Sequence, residues 1–137
     1  MREERPLYTL SGTVIHGRAN GRTVGMPTAN LACPAGAALP PFGVYAARVT
    51  AAGKTYLGVT NVGLRPTLTR DEIPTVETLL LDYSGDLYGQ EITLRLYHFL
   101  RPTRKMGSLR EVEAQVERDA REARRLLTPA DAETAGE

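Results

Sequence analysis

Glycine and proline interrupt the chain throughout its first 107 residues and then fall away, apart from Pro129 and Gly136. Within a helix interior each glycine costs about 1 kcal/mol and each proline about 3 kcal/mol relative to alanine. Thirteen glycines and nine prolines, nearly all before residue 108, therefore favour short segments over long helices. The segments between them are rich in β-branched and aromatic residues, which reads as strands near Tyr8–His16, Ala29–Cys33, Val44–Ala51, Lys54–Val62, Thr75–Tyr83 and Glu91–Phe99. Ala52-Gly53 is a tight hairpin candidate, and Ser84-Gly85-Asp86 ends the fifth segment. Strands this short and regular imply a small antiparallel barrel.

The pattern changes once, after Met106. Leu109, Val112, Val116, Ala120, Ala123 and Leu127 recur at spacings of three and four, the stripe of an amphipathic helix. Ser108 and Glu111 form a capping box that satisfies two orphan N–H donors. Glu111, Glu113 and Glu117 sit in the early turns and Arg121, Arg124 and Arg125 in the last ones, as the helix dipole favours. Pro129 bars continuation. The 137 residues are expected to form one domain, with a core over about 7–127 and a frayed tail over 130–137.

A net charge of +1 argues against a nucleic-acid backbone or an anionic membrane as the main partner. The lone cysteine, Cys33, allows no intrachain disulfide and no cysteine zinc cage, and reads as core filler. No apolar run reaches the roughly 18 residues of a membrane span. The N-terminus lacks the apolar stretch of a secretory signal, so a cytoplasmic location is the default. His16 and His98 are too few and too far apart to suggest a metal site.

Three segments could carry chemistry. Residues Gly17 to Asn30 hold three glycines in nine positions, together with Arg22. Such a loop lets backbone amides approach an anion, and Arg22 adds a donor suited to phosphate. No P-loop pattern occurs, so a ligand-free barrel loop remains the other reading. Thr28 and Asn30, two apart at the start of a strand, offer neutral oxygen donors suited to Mg²⁺ when a nucleotide completes the shell; a plain turn also fits them. Glu77, alternating with Thr75, Leu79, Leu81 and Tyr83 on one strand face, reads either as a general base for a hydroxyl or as an exterior carboxylate paired with an arginine. Arg101, Arg104 and Lys105 cluster in the connector ahead of the helix, where cations are usually solvated.

Taken together these segments resemble the riboflavin kinase family. The matching pieces are Gly12-Thr-Val-Ile-His-Gly17, Gly21-Arg-Thr-Val-Gly-Met-Pro-Thr-Ala-Asn30, Gly43-Val-Tyr45, Asn61-Val-Gly-Leu-Arg-Pro-Thr67, Val76-Glu77, Asp86-Leu-Tyr-Gly89 and Phe99-Leu-Arg-Pro102. The resemblance implies a six-stranded antiparallel Greek-key barrel, closed near its mouth by a C-terminal helix. It implies an enzyme that converts ATP and riboflavin to FMN and ADP with Mg²⁺, or another divalent cation such as Zn²⁺ or Mn²⁺. By matching position, Glu77 is the implied catalytic base, and Thr28 and Asn30 the metal ligands that also touch ATP. Gly17, Arg22, Leu80, Asp82 and Tyr88 are the implied remaining ATP contacts, and Arg101, Arg104 and Met106 the flavin contacts. Leu79 stands where the family often has histidine, and Met106 where an aromatic is common. The partners implied are small molecules, with neither nucleic acid nor membrane, and an FMN adenylyltransferase domain if the chain is one part of a longer protein. A non-catalytic flavin-binding barrel is the alternative.

Overall fold

A computed structural model of the protein describes residues 5–15, 28–32, 39–66, 72–83, 87–103 and 107–127. Six strands close into an antiparallel barrel: β1 (Tyr8–Ile15), β2 (Thr28–Leu31), β3 (Gly43–Ala51), β4 (Lys54–Pro66), β5 (Glu72–Leu80) and β6 (Glu91–Arg101). Around the wall the order is β1-β2-β5-β4-β3-β6. Strands β3, β4 and β5 follow one another as neighbours, and β6 returns beside β3, which is the Greek-key order. Closure leaves no sheet edge to template association.

Alternation divides the wall into two faces. Val14, Ala29, Leu31, Tyr45, Ala47, Val49, Val62, Val76, Leu80, Ile92, Leu94 and Leu96 fill the interior. The Tyr45 ring is buried there, and its hydroxyl donates to the Pro41 carbonyl at 2.7 Å, so the polar tip costs nothing in unmet hydrogen bonding. The β3–β4 turn is the expected hairpin: Ala52 (φ 52) and Gly53 (φ 82) both take the left-handed backbone of a two-residue turn that matches strand twist.

One helix, α1 (Leu109–Leu126), follows the strands. Its stripe packs Ala120, Ala123 and Leu127 against Val44, Ala46, Val59, Leu79 and Leu81 on the outside of the wall. None of its residues joins the interior cluster, so the helix covers the barrel's flank, along β3, β4 and β6. The Ser108 hydroxyl accepts from the Glu111 amide at 3.2 Å. The reciprocal arm differs from the expectation, because the Glu111 carboxylate accepts from the amide of Gly107 rather than from that of Ser108.

Several strand boundaries depart from the sequence reading: β2 runs Thr28–Leu31 rather than over 29–33, β3 starts at Gly43 and β5 at Glu72, and the ends of β4, β5 and β6 also differ. Strand β4 runs four residues past Val62, through Gly63 to Pro66, because β5 offers a ladder as far as Glu72. Strand β5 stops at Leu80, since Asp82 adopts φ 60 and breaks the alternation. Tyr83 therefore leaves the face of Glu77 and packs edge-on against Tyr56 at 4.9 Å, beside the interior cluster. Strand β6 continues to Arg101, absorbing register shifts where it passes Val44–Tyr45 and Ala46–Ala47. Cys33, Ser84-Gly85-Asp86, Pro129 and the tail lie outside the described residues.

At Gly58, β4 is crowded from both sides by β3 and β5. A Cβ there would lie 2.9 Å from Val49 Cγ2 and 3.0 Å from the Leu79 carbonyl oxygen, which is backbone and cannot turn aside. Gly58→Ala is expected to destabilise the protein by about 1–3 kcal/mol, measured as a lowered urea midpoint with an unchanged slope.

Candidate active site

The register brings two of the singled-out side chains together. Asn30 on β2 is paired directly with Glu77 on β5, and Glu77 in turn with Asn61 on β4. Each stands between inward neighbours: Asn30 between Ala29 and Leu31, Glu77 between Val76 and the buried Thr78, Asn61 between the buried Thr60 and Val62. All three therefore point from the outer wall. Directly opposed residues have Cβ atoms about 4.5–5.5 Å apart, so two amides flank one carboxylate within hydrogen-bonding reach. Asn30 and Glu77 are half-buried and Asn61 is exposed.

Different side chains border the row on its two sides. On one side rise Val59 and Leu79, members of the apolar cluster shared with α1. On the other side Gly63 has no side chain, and the Thr103 methyl lies 3.7 Å from where its Cβ would be. The segment leaving β6 thus crosses the outer wall two positions from Asn61. Past Asn61 the row continues to Val44, then to Arg101 at the end of β6.

Arg101 is held by the helix. Its Nε donates to Asp119 Oδ1 at 3.0 Å and its Nη2 to Oδ2 at 2.8 Å, a two-pronged pair. Asp119 is only 6% exposed, and its Oδ1 also accepts from Gln115 Nε2 at 2.9 Å. A buried carboxylate is costly unless paired and hydrogen-bonded, and this one is both. Neither Asp119 nor Gln115 belongs to the helix's apolar stripe. Their spacing of four residues on one helical face is the signal that could have found them.

The remaining candidates are dispersed. Thr28 is in register with Leu79, two positions before Asn30 on β2. Leu80 does not join the row: strand alternation turns its side chain into the barrel, where it is 1% exposed. Asp82 is exposed at the end of β5 and accepts from Arg124 on the helix at 2.8 and 3.2 Å. Tyr88 is 52% exposed. Gly17, Arg22, Arg104 and Met106 lie outside the described residues. No group of three His, Cys, Asp or Glu suited to a metal occurs among the described residues, and none of their helices is long and apolar enough to cross a membrane. Asn61, to which the sequence reading gave no role of its own, is the residue the register adds.

A closed Greek-key barrel with a polar row on its outer wall, bordered by a C-terminal helix, defines a class, and comparison with known proteins fixes which. The family model described as Flavokinase: Riboflavin kinase matches residues 5–127. The bifunctional riboflavin kinase/FMN adenylyltransferase of Bacillus subtilis is 40% identical over 123 residues, covering 88% of this chain and 39% of that protein. The crystal structure of a macrolide-efflux protein from Streptococcus pneumoniae superposes with a TM-score of 0.77 at 31% identity, over 87% of this chain and 38% of that one. The crystal structure of riboflavin kinase from Trypanosoma brucei gives a TM-score of 0.63 over 91% of this chain and 82% of that one, and at 21% identity shows the shared fold. The chain belongs to the riboflavin kinase family and is a riboflavin kinase domain. It spans about two fifths of the length of the bifunctional relatives it matches.

Asp82 offers a pH test of the helix contact. The hydrogen bond from Arg124 holds its carboxyl below the usual carboxylate range. A carboxyl with a lowered folded pKa stabilises the protein above its unfolded pKa, about 3.9, and loses that contribution as the pH falls through the lower folded value. Both side chains are well exposed, at 75% and 46%, so solvent screening limits the pair to at most about 1 kcal/mol. Asp82→Asn should leave the acid limb of the stability curve slightly flatter below pH 4, with a change at neutral pH within that bound, measured by denaturant titration across pH.

Proposed function

We propose that this domain transfers the γ-phosphoryl group of ATP to the 5′-hydroxyl of the ribityl chain of riboflavin, giving FMN and ADP. The observation that carries the reading is the pairing of Asn30 with Glu77 on one outward-facing row. It sets a proton acceptor beside a neutral oxygen donor, which is what an alcohol attacking a metal-bound phosphate requires.

In this reading Glu77 accepts the hydroxyl proton as the oxygen bonds to phosphorus, and ADP leaves with the electrons of the broken P–O bond. Its backbone is fixed on both sides, by β2 and by β4, so little entropy is lost in aiming it. Asn30 and Thr28 would hold a Mg²⁺ ion, or Zn²⁺ or Mn²⁺. The donor set fits such an ion, because an amide carbonyl and a hydroxyl are hard oxygens that leave the negative charge to the nucleotide. When bound, the ion would neutralise charge on the transferring phosphoryl group. Gly17 and Arg22 would contact the phosphates, with Leu80, Asp82 and Tyr88 toward the adenine. The inward side chain of Leu80 leaves its backbone for that role. Arg101, Arg104 and Met106 would border the flavin. The Asp119 clamp supports Arg101 in this role by keeping the guanidinium at the end of the row. We place the enzyme in the cytoplasm, with no nucleic-acid or membrane partner. Its bifunctional relatives make an FMN adenylyltransferase domain its expected neighbour if the chain is part of a longer protein.

The direct test is incubation of the pure chain with riboflavin, ATP and Mg²⁺, followed by chromatographic separation of the flavins. FMN and ADP should form in equal amounts, whereas a barrel that only binds flavin would release no ADP. Glu77→Gln should lower kcat by about 10²–10⁴-fold and leave nucleotide affinity nearly intact. Wild-type turnover in that variant would remove Glu77 from the mechanism. Thr28→Ala should instead raise the Mg²⁺ concentration needed for half-maximal rate, and an unchanged metal dependence would refute its assignment as a ligand.

A further inference from the structure

We propose that Asn61 is a positioning residue for Glu77, an inference that rests on the reading of Glu77 as the base. The β4–β5 register sets Asn61 directly opposite Glu77, on the side away from Asn30. One step along the same two strands, the buried hydroxyls of Thr60 and Thr78 share a 2.7 Å hydrogen bond. That bond pins the register, and a slip by one residue would turn both Asn61 and Glu77 to the other face. Asparagine is disfavoured within strands. Here it stands at the eighth of the thirteen positions of β4, exposed, with no packing to account for it.

A general base needs an ionised carboxylate with one oxygen aimed at the hydroxyl. If Asn30 is drawn toward the metal, the amide within reach on the other flank is that of Asn61. Its N–H can donate to one Glu77 oxygen, fixing the carboxylate's orientation and leaving the other oxygen for the substrate. The outward neighbours along and across these strands are Thr75, Leu79, Val59 and Gly63, none of them ionisable. Along the row, beyond Asn61, Val44 precedes Arg101, which is already bound to Asp119; beyond Asn30 stands Ile15. Among the described outward residues of β4, Asn61 is thus the polar side chain set against Glu77.

The test is the steady-state kinetics, kcat and both KM values, of Asn61→Ala and Asn61→Asp, alone and combined with Glu77→Gln, on protein whose thermal unfolding is measured in parallel. Asn61→Ala should lower kcat about 10-fold while KM for ATP and for riboflavin stays within about twofold. Asn61→Asp keeps the side chain's shape but has no N–H to donate, so kcat should fall at least as far, again with little change in either KM. Both effects should vanish in the Glu77→Gln background. Wild-type kcat in folded Asn61→Ala or Asn61→Asp would overturn the inference while leaving Glu77 in place. Full turnover in Glu77→Gln would overturn both. If Asn61→Asp fails to fold, the loss or retention of kcat in Asn61→Ala decides.

Discussion

The β2–β5–β4 register is the constraint on which the rest depends. Strand side chains alternate with a period of two, so one register decides at once what fills the barrel and what faces outward. With β5 set as it is, Val76, Thr78 and Leu80 point inward, Leu79 goes to the helix, and Glu77 falls between two asparagines. The Thr60–Thr78 hydroxyl pair contributes only about 1 kcal/mol as a hydrogen bond. Its larger effect is on specificity, because any other register would leave two buried hydroxyls without this partner.

The helix is the second layer, and it serves the wall rather than the interior. Its apolar stripe packs on outward residues of β3, β4 and β5, so an apolar cluster lies next to the polar row. Two ion pairs mark its course over the barrel. Arg101–Asp119 is largely buried and two-pronged, while Asp82–Arg124 is open to solvent. The first ties the end of β6, and the connector that crosses Gly63, to the helix. Strand, connector and helix therefore border the outer-wall site as one unit, on a wall whose own geometry the barrel fixes independently.

Such a division suits a phosphoryl-transfer domain. The chemistry asks little covalent work of the protein and much alignment. Residues on paired strands are held more firmly than residues on loops, and Asn30, Glu77 and Asn61 all lie on strands.

Much of this was legible in the sequence. Glycine and proline spacing with β-branched content located all six strands, and the three-four stripe located the helix with its Ser108 cap. These are local signals, set by backbone conformational cost and by periodicity. Glu77 and Asn30 were also legible, by residue type, as candidates for a proton acceptor and an oxygen donor. What the sequence could not contain was partnership. That Asn61 stands against Glu77, that Leu80 turns inward beside it, and that Asp119 holds Arg101 depend on contacts between positions 16 to 47 residues apart or on which strand a helix meets. The extension of β4 to Pro66 and the early stop of β5 at Leu80 are of the same kind: a partner's ladder prolonged one strand, and a left-handed residue ended the other. Local propensity determines which elements form; only the closing of the barrel chooses their register, because pairing energy belongs to two strands at once and is written in neither alone.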